Sequence, residues 1–145
     1  MRVLEVATLE GPEAAHIAER DIADPTGDQI LVKVGAAGIN YADVAQTRGM
    51  YPGGPAAPYV GGMEMAGTVV KAGPDSPIPV GGRVMGMGTQ SFAEYVCWPT
   101  NAVFPTPSNW TDTQAAAFPV QWLTAHACLR TVGRVESGDN VLIHA

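Results

Sequence analysis

MAGTVVK (Met65–Lys71), RVMGM (Arg83–Met87), FAEYV (Phe92–Val96) and NAVF (Asn101–Phe104) are short apolar runs, and clusters such as GPDSPIPVGG (Gly73–Gly82) cut them apart. Brief Val-, Met- and aromatic-rich runs bounded by Gly and Pro read as strands joined by tight turns. The same reading extends upstream to Val3–Ala7, His16–Ile22 and Gln29–Val34. Many strands at short spacing predict a mainly β chain folded as a barrel or sandwich.

Three helices interrupt this pattern. Asn40–Arg48 lacks breakers, contains Ala42 and Ala45, and stops at Gly49, the residue best suited to the left-handed position after a helix. Thr111 and Gln114 have the spacing of a capping box. Pro119 opens a third helix, since proline lacks only a donor that has no partner in the first turn. Val120, Leu123, Thr124 and Ala127 share one face of it, while Trp122, Ala125 and Leu129 fall elsewhere. Apolar residues all round predict a helix buried on most sides. Beyond it, Glu136–Asp139 reads as a turn and Asn140–Ala145 as an apolar strand.

Composition narrows the class. A formal charge of −6 with 8 Lys+Arg leaves no basic stripe for nucleic acid. The start, MRVLEVATLEG, has neither a basic leader nor a cleavable apolar core, and nothing approaches the ~20 apolar residues of a membrane span. Cys97 and Cys128 are too few for a disulfide framework and read as packing residues on a strand and a helix, which points to a reduced cytoplasmic protein. His16, His126 and His144 have no metal-ligand spacing.

Three segments then decide the family: GINYADV (Gly38–Val44), GMEMAG (Gly62–Gly67), and AAAFPVQWLTAHACL (Ala115–Leu129) followed by GDNVLIHA (Gly138–Ala145). Occurring together and in this order, they resemble the medium-chain dehydrogenase/reductase superfamily, in its zinc-free quinone oxidoreductase branch. The resemblance implies a GroES-like barrel domain, mainly β with short helices, over residues 1–137. It makes 138–145 the first strand of a truncated Rossmann cofactor domain. The glycine-rich phosphate turn of such a domain follows its first strand, so the fragment alone is expected to be inactive.

The resemblance also implies the absence of zinc. Where the zinc enzymes of the superfamily carry a cysteine and a histidine, this chain has Asn40 and Met63. Neither an amide nor a thioether replaces a catalytic zinc ligand well. Without a metal, a substrate carbonyl must be polarised by hydrogen bonds.

Asn40 is therefore a candidate catalytic and cofactor-binding residue, the alternative being a plain helix cap. Tyr51 matches a pocket tyrosine of many members, as a catalytic and substrate-binding residue, against an exposed loop aromatic. Tyr41 supplies a further aromatic wall for substrate. Thr124 matches a position that approaches the nicotinamide, against a threonine bonded to its own helix. Asp43 reads as a loop-fixing residue and Glu64 as a structural neighbour of the site.

The implied activity is NADPH-dependent reduction of a quinone or an α,β-unsaturated carbonyl compound by hydride transfer, with the proton drawn from solvent. Two alternatives stay open: an enoyl reductase acting on acyl thioesters, and a non-catalytic binding module of the same fold. The partners in keeping with the resemblance are a small-molecule quinone or enone and, as a homodimer, a second copy of the chain.

Overall fold

Every strand pairing among the described residues is antiparallel, as short hairpin connections require. A computed structural model describes residues 1–144. The strands are β1 (Arg2–Val6), β2 (Ala15–Glu19), β3 (Gln29–Gly38), β4 (Tyr59–Val60), β5 (Glu64–Ala72), β6 (Arg83–Met87), β7 (Tyr95–Pro99) and β8 (Val103–Pro105). They form a three-stranded sheet in the order β2-β1-β4 and a five-stranded sheet in the order β7-β3-β5-β6-β8. The two sheets meet where Leu4 N–H donates to Phe92 O at 2.8 Å and Val3 bridges Ala93.

The core follows from the alternation of side chains along the long strands. Ile30 and Val32 of β3, Met65 and Val69 of β5, Val84 of β6, Val96 and Trp98 of β7 and Val103 of β8 form one buried cluster. Fully burying such a side chain stabilises the fold by roughly 1.5–3 kcal/mol. On its other face, where Gly35, Ala36 and Ala66 leave room beside Met85, α2 (Asp112–Ala116) lies against the sheet. Ala115 and Ala116 pack on Ala66 and Met85, with Ala36, Trp110 and Phe118 around them. Gly35 permits that approach, because a Cβ there would lie 2.9 Å from Asp112 Cγ.

The helices begin and end where the sequence places its signals. α1 (Tyr41–Thr47) is followed by Gly49 at φ 63°, and Thr111 and Gln114 cap α2 reciprocally, at 2.9 and 3.2 Å. α3 (Pro119–His126) opens on Pro119 as expected. It departs from expectation in its surroundings: Pro119 is its one buried residue, Thr124 is exposed, and Trp122 is 63% exposed. Trp122 stacks on Phe118, the residue before the helix, with ring centroids 5.8 Å apart, while Phe118 itself packs against the Ala115 and Ala116 cluster.

After α3 the backbone widens into a π-helical turn, Ala127–Val132, closed by Gly133 N–H on Cys128 O at 2.8 Å. Cys128 is exposed on this segment, not packed as the sequence reading expected, whereas Cys97 is half-buried. The turn at Glu136–Asp139 forms, with Asp139 N–H on Glu136 O at 3.2 Å. The strand expected at Asn140–Ala145 does not: residues 140–144 are exposed and belong to no strand, and Ala145 lies outside the described residues. A strand needs a neighbour to take its backbone groups, and none of the described strands pairs with this segment.

Candidate functional site

At Gly38 strand β3 ends, and the chain turns through Asn40 into α1. Asn40 holds an extended conformation, φ −119° and ψ 158°, as a residue preceding a helix must. Its backbone N–H donates to Asp43 Oδ2 at 2.8 Å, the return half of a capping box. Its side chain reaches across to β5, where Nδ2 donates to Glu64 Oε1 at 2.8 Å.

Glu64 is the centre of the arrangement. It is 1% exposed, and its second oxygen, Oε2, accepts the backbone N–H of Val120 at 2.8 Å. Pro119, at the first position of α3, has no N–H to offer, so Val120 presents a free donor at the positive end of the helix. One buried carboxylate thus ties the start of α1 to the start of α3. Gly38 makes the room, because a Cβ there would sit 2.7 Å from Glu64 Cγ. The two residues face each other across the β3–β5 ladder.

Asp43 is buried alongside. Burial pushes its carboxyl above the ordinary carboxylate range, and the nearby charge of Glu64 adds to this, while the Asn40 N–H opposes it. Tyr59 is pushed up in turn by its own burial and by Asp43. Neither carboxylate takes part in an ion pair among the described residues.

Asn40 and Glu64 are brought together; the other expected residues stand further out. Tyr41, on the first turn of α1, is 80% exposed, and Tyr51 is 38% exposed. Thr124 lies one turn beyond Val120 and shares its side of α3. No side-chain hydrogen bond among the described residues joins Tyr41, Tyr51 or Thr124 to Asn40. Ile39 and Met50, 75% and 68% exposed, extend the apolar surface around α1 beyond the two tyrosines. The sequence reading missed them, and it missed the link from Glu64 to α3. The proline before Val120 was the signal that a lone donor sits there.

Position 63 lies between two constrained neighbours. Gly62 takes φ 98°, and a Cβ on it would stand 2.7 Å from the Phe92 ring. Met63 is half-buried and its sulfur accepts Gln46 Nε2 at 3.5 Å. Among the described residues, no three His, Cys, Asp or Glu side chains are grouped as metal ligands. Nor is any helix long and apolar enough to cross a membrane.

Comparison with known proteins places this geometry. The profile of the alcohol dehydrogenase GroES-like domain matches residues 26–108. The chain is 39% identical over 135 residues to a phenolphthiocerol/phthiocerol polyketide synthase of Mycobacterium tuberculosis, covering 92% of the chain and 6% of that protein. It is 31% identical over 148 residues to the quinone oxidoreductase of Rattus norvegicus, covering 99% of the chain and 45% of that protein. The solved Escherichia coli quinone oxidoreductase complexed with NADPH superposes with a TM-score of 0.85 at 30% identity, over 91% of this chain and 41% of that one. The chain thus spans less than half the length of each of these relatives. The fold, the order of the motifs and these matches agree: the chain belongs to the alcohol dehydrogenase GroES-like domain family, within the medium-chain dehydrogenase/reductase superfamily.

Proposed function

We propose that this chain is the catalytic domain of an NADPH-dependent oxidoreductase that passes hydride to a quinone or an α,β-unsaturated carbonyl compound without zinc. The observation that carries the reading is the bridge from Asn40 through Glu64 to Val120. It fixes the Asn40 amide beside the helix bearing Thr124. The solved relative bound to NADPH supports the choice of cofactor.

When bound, the dihydronicotinamide supplies the hydride, a proton together with two electrons. In the same reading Asn40 and Thr124 hold the nicotinamide and the substrate carbonyl in register, and Tyr41 and Tyr51 wall the substrate slot. Hydride adds to the β-carbon, charge develops on the carbonyl oxygen, and solvent supplies the proton that completes the reduction. Hydrogen-bond donors fixed before the charge develops stabilise it without reorganisation. Residues 1–137 form the catalytic domain, and 138–145 lead into the cofactor domain.

The test is NADPH consumption by the intact protein with a quinone, an enone and an acyl thioester as acceptors. We expect turnover with the first two, and an approximately hundredfold loss of kcat in Asn40→Ala. Unchanged kinetics in that variant would remove Asn40 from the site. A second reading, an enoyl reductase acting on acyl thioesters, is favoured by the identity to a polyketide synthase. Turnover confined to the thioester would select it. Absence of turnover with all three would leave a non-catalytic binding module.

A further inference from the structure

Between α1 and the three-stranded sheet lies a cavity of about 180 Å³ whose walls include Leu4, Ala15, Val44, Tyr59, Gly61 and Phe92. Asn40, Tyr41, Tyr51 and Thr124 do not line it, so it is separate from the candidate site. The surface it presents is almost wholly apolar, although Asp43, Gln46 and Thr47 belong to its walls. Polar groups of these three are spent elsewhere. The Thr47 hydroxyl donates to Val44 O at 2.8 Å, and Gln46 Nε2 donates to Met63 Sδ at 3.5 Å. Asp43 Oδ2 accepts the Asn40 N–H, and its Oδ1 is covered by protein. The walls are also held in place. The Phe92 ring lies against Gly61 and Gly62, where an added Cβ would stand 3.0 and 2.7 Å from it, and Phe92 O accepts the Leu4 N–H at 2.8 Å. A void whose walls cannot close keeps its cost in lost contacts until something fills it.

We propose that this cavity binds a small neutral aromatic molecule, a single ring carrying at most a short alkyl group. Volume sets the size: an apolar cavity of about 150 Å³ stays dry and takes benzene, so a ring of toluene's size suits this one. Tyr59 and Phe92 bring aromatic side chains to the lining, and aromatic pairs attract through offset or edge-to-face contact beyond the burial of their area. Charge of either sign is selected against. No Lys, Arg or His lines the cavity among the described residues, so a carboxylate guest would shed its water beside the Asp43 carboxyl with no cation to meet it. An ammonium guest would shed its water too and find one Asp43 oxygen covered and the other taken. Pro12 and Ile39, both exposed, give a neutral ring its way in. Such binding requires nothing of the hydride-transfer reading.

The experiment is titration of the chain with toluene, benzoate and benzylammonium, each at fixed pH and ionic strength, followed by thermal shift and by the backbone amide resonances of Val44, Tyr59, Gly61 and Phe92. We expect saturable shifts at these amides with toluene, below its solubility limit in water, and at least about tenfold weaker binding of both ions. Ala15→Leu and Val44→Phe each fill the cavity without altering charge. Either change should weaken toluene binding by about tenfold or more. Equal affinity for the neutral and charged probes, or unchanged toluene binding in a folded filling variant, would overturn the proposal. So would toluene shifts that fail to saturate, or that fall instead on the exposed Tyr41, Met50 and Trp122. Should both variants fail to fold, the position and saturation of the shifts in the unaltered chain decide the matter.

Discussion

The carboxylate of Glu64 accepts the backbone N–H of Val120, 56 positions further along the chain, at 2.8 Å. Together with the Asn40 amide on its other oxygen, this makes Glu64 a two-acceptor clasp in a place water does not reach. Glutamine keeps the shape but turns one acceptor into a donor. Glu64→Gln should therefore lose about 1–3 kcal/mol of unfolding free energy, measured by urea titration of the chain. Wild-type stability in that variant would mean that one of the two bonds contributes nothing.

Gly38 and Glu64 are neighbours across the ladder, and a methyl group on Gly38 has no free space beside the Glu64 side chain. Gly38→Ala should cost about 1–3 kcal/mol through overpacking. The double variant Gly38→Ala/Glu64→Ala should lose less than the sum of the two single changes, since the second removes what the first collides with. Strict additivity in the same denaturation series would contradict the contact.

Asp43 gives a dependence on pH with a definite sign. Its carboxyl is raised in the folded chain above its ordinary value of 3.8, first by burial and then by Glu64. Below that ordinary value the group is protonated in both folded and unfolded chains and contributes no cost. As pH rises through the raised value, the folded chain must give up a proton it holds more tightly, so stability falls across that window and stays lower above it. Asp43→Asn has no such proton. Its unfolding free energy relative to wild type should therefore climb as pH increases from about 3 to neutrality. A difference independent of pH would show that Asp43 keeps its ordinary acidity.

The two cysteines should separate by reactivity. Cys128 is exposed, whereas burial, and to a smaller degree the charge of Asp24, pushes the half-buried Cys97 thiol up. Since the thiolate is the reacting form, a neutral thiol-specific reagent should label Cys128 well before Cys97. Mass mapping after partial labelling reads the order directly.

The strands were legible because runs such as Ile30–Val32 or Val69–Val70 have no other stable use in a chain punctuated by glycine and proline. β7 shows where that logic slips: the run expected at Phe92–Val96 is displaced to Tyr95–Pro99. Phe92 and Ala93 are apolar for another reason, since they join the two sheets at Leu4 and Val3. β4, with two residues, is too short to stand out in sequence. α3 misled by composition, because Trp122 and its neighbours are apolar without entering the core. In the candidate site, Asn40 as a helix cap and Asp43 as a loop-fixing residue were readable from residue type and position, though not their pairing. The Glu64 clasp was not, because it depends on where the sheet carries residue 64 relative to residue 120, and that is a property of the folded chain alone.

Gly62, Met63 and Glu64 stand side by side under unequal constraint. The backbone at Gly62 excludes any side chain, and Glu64 is held through both of its oxygens. Met63, between them, spends its sulfur on a weak contact with Gln46. The scaffold is therefore rigid on either side of one permissive position. A lineage or a designer can change what that position offers, from ligand to spectator and back, while the architecture that carries it stays as it was.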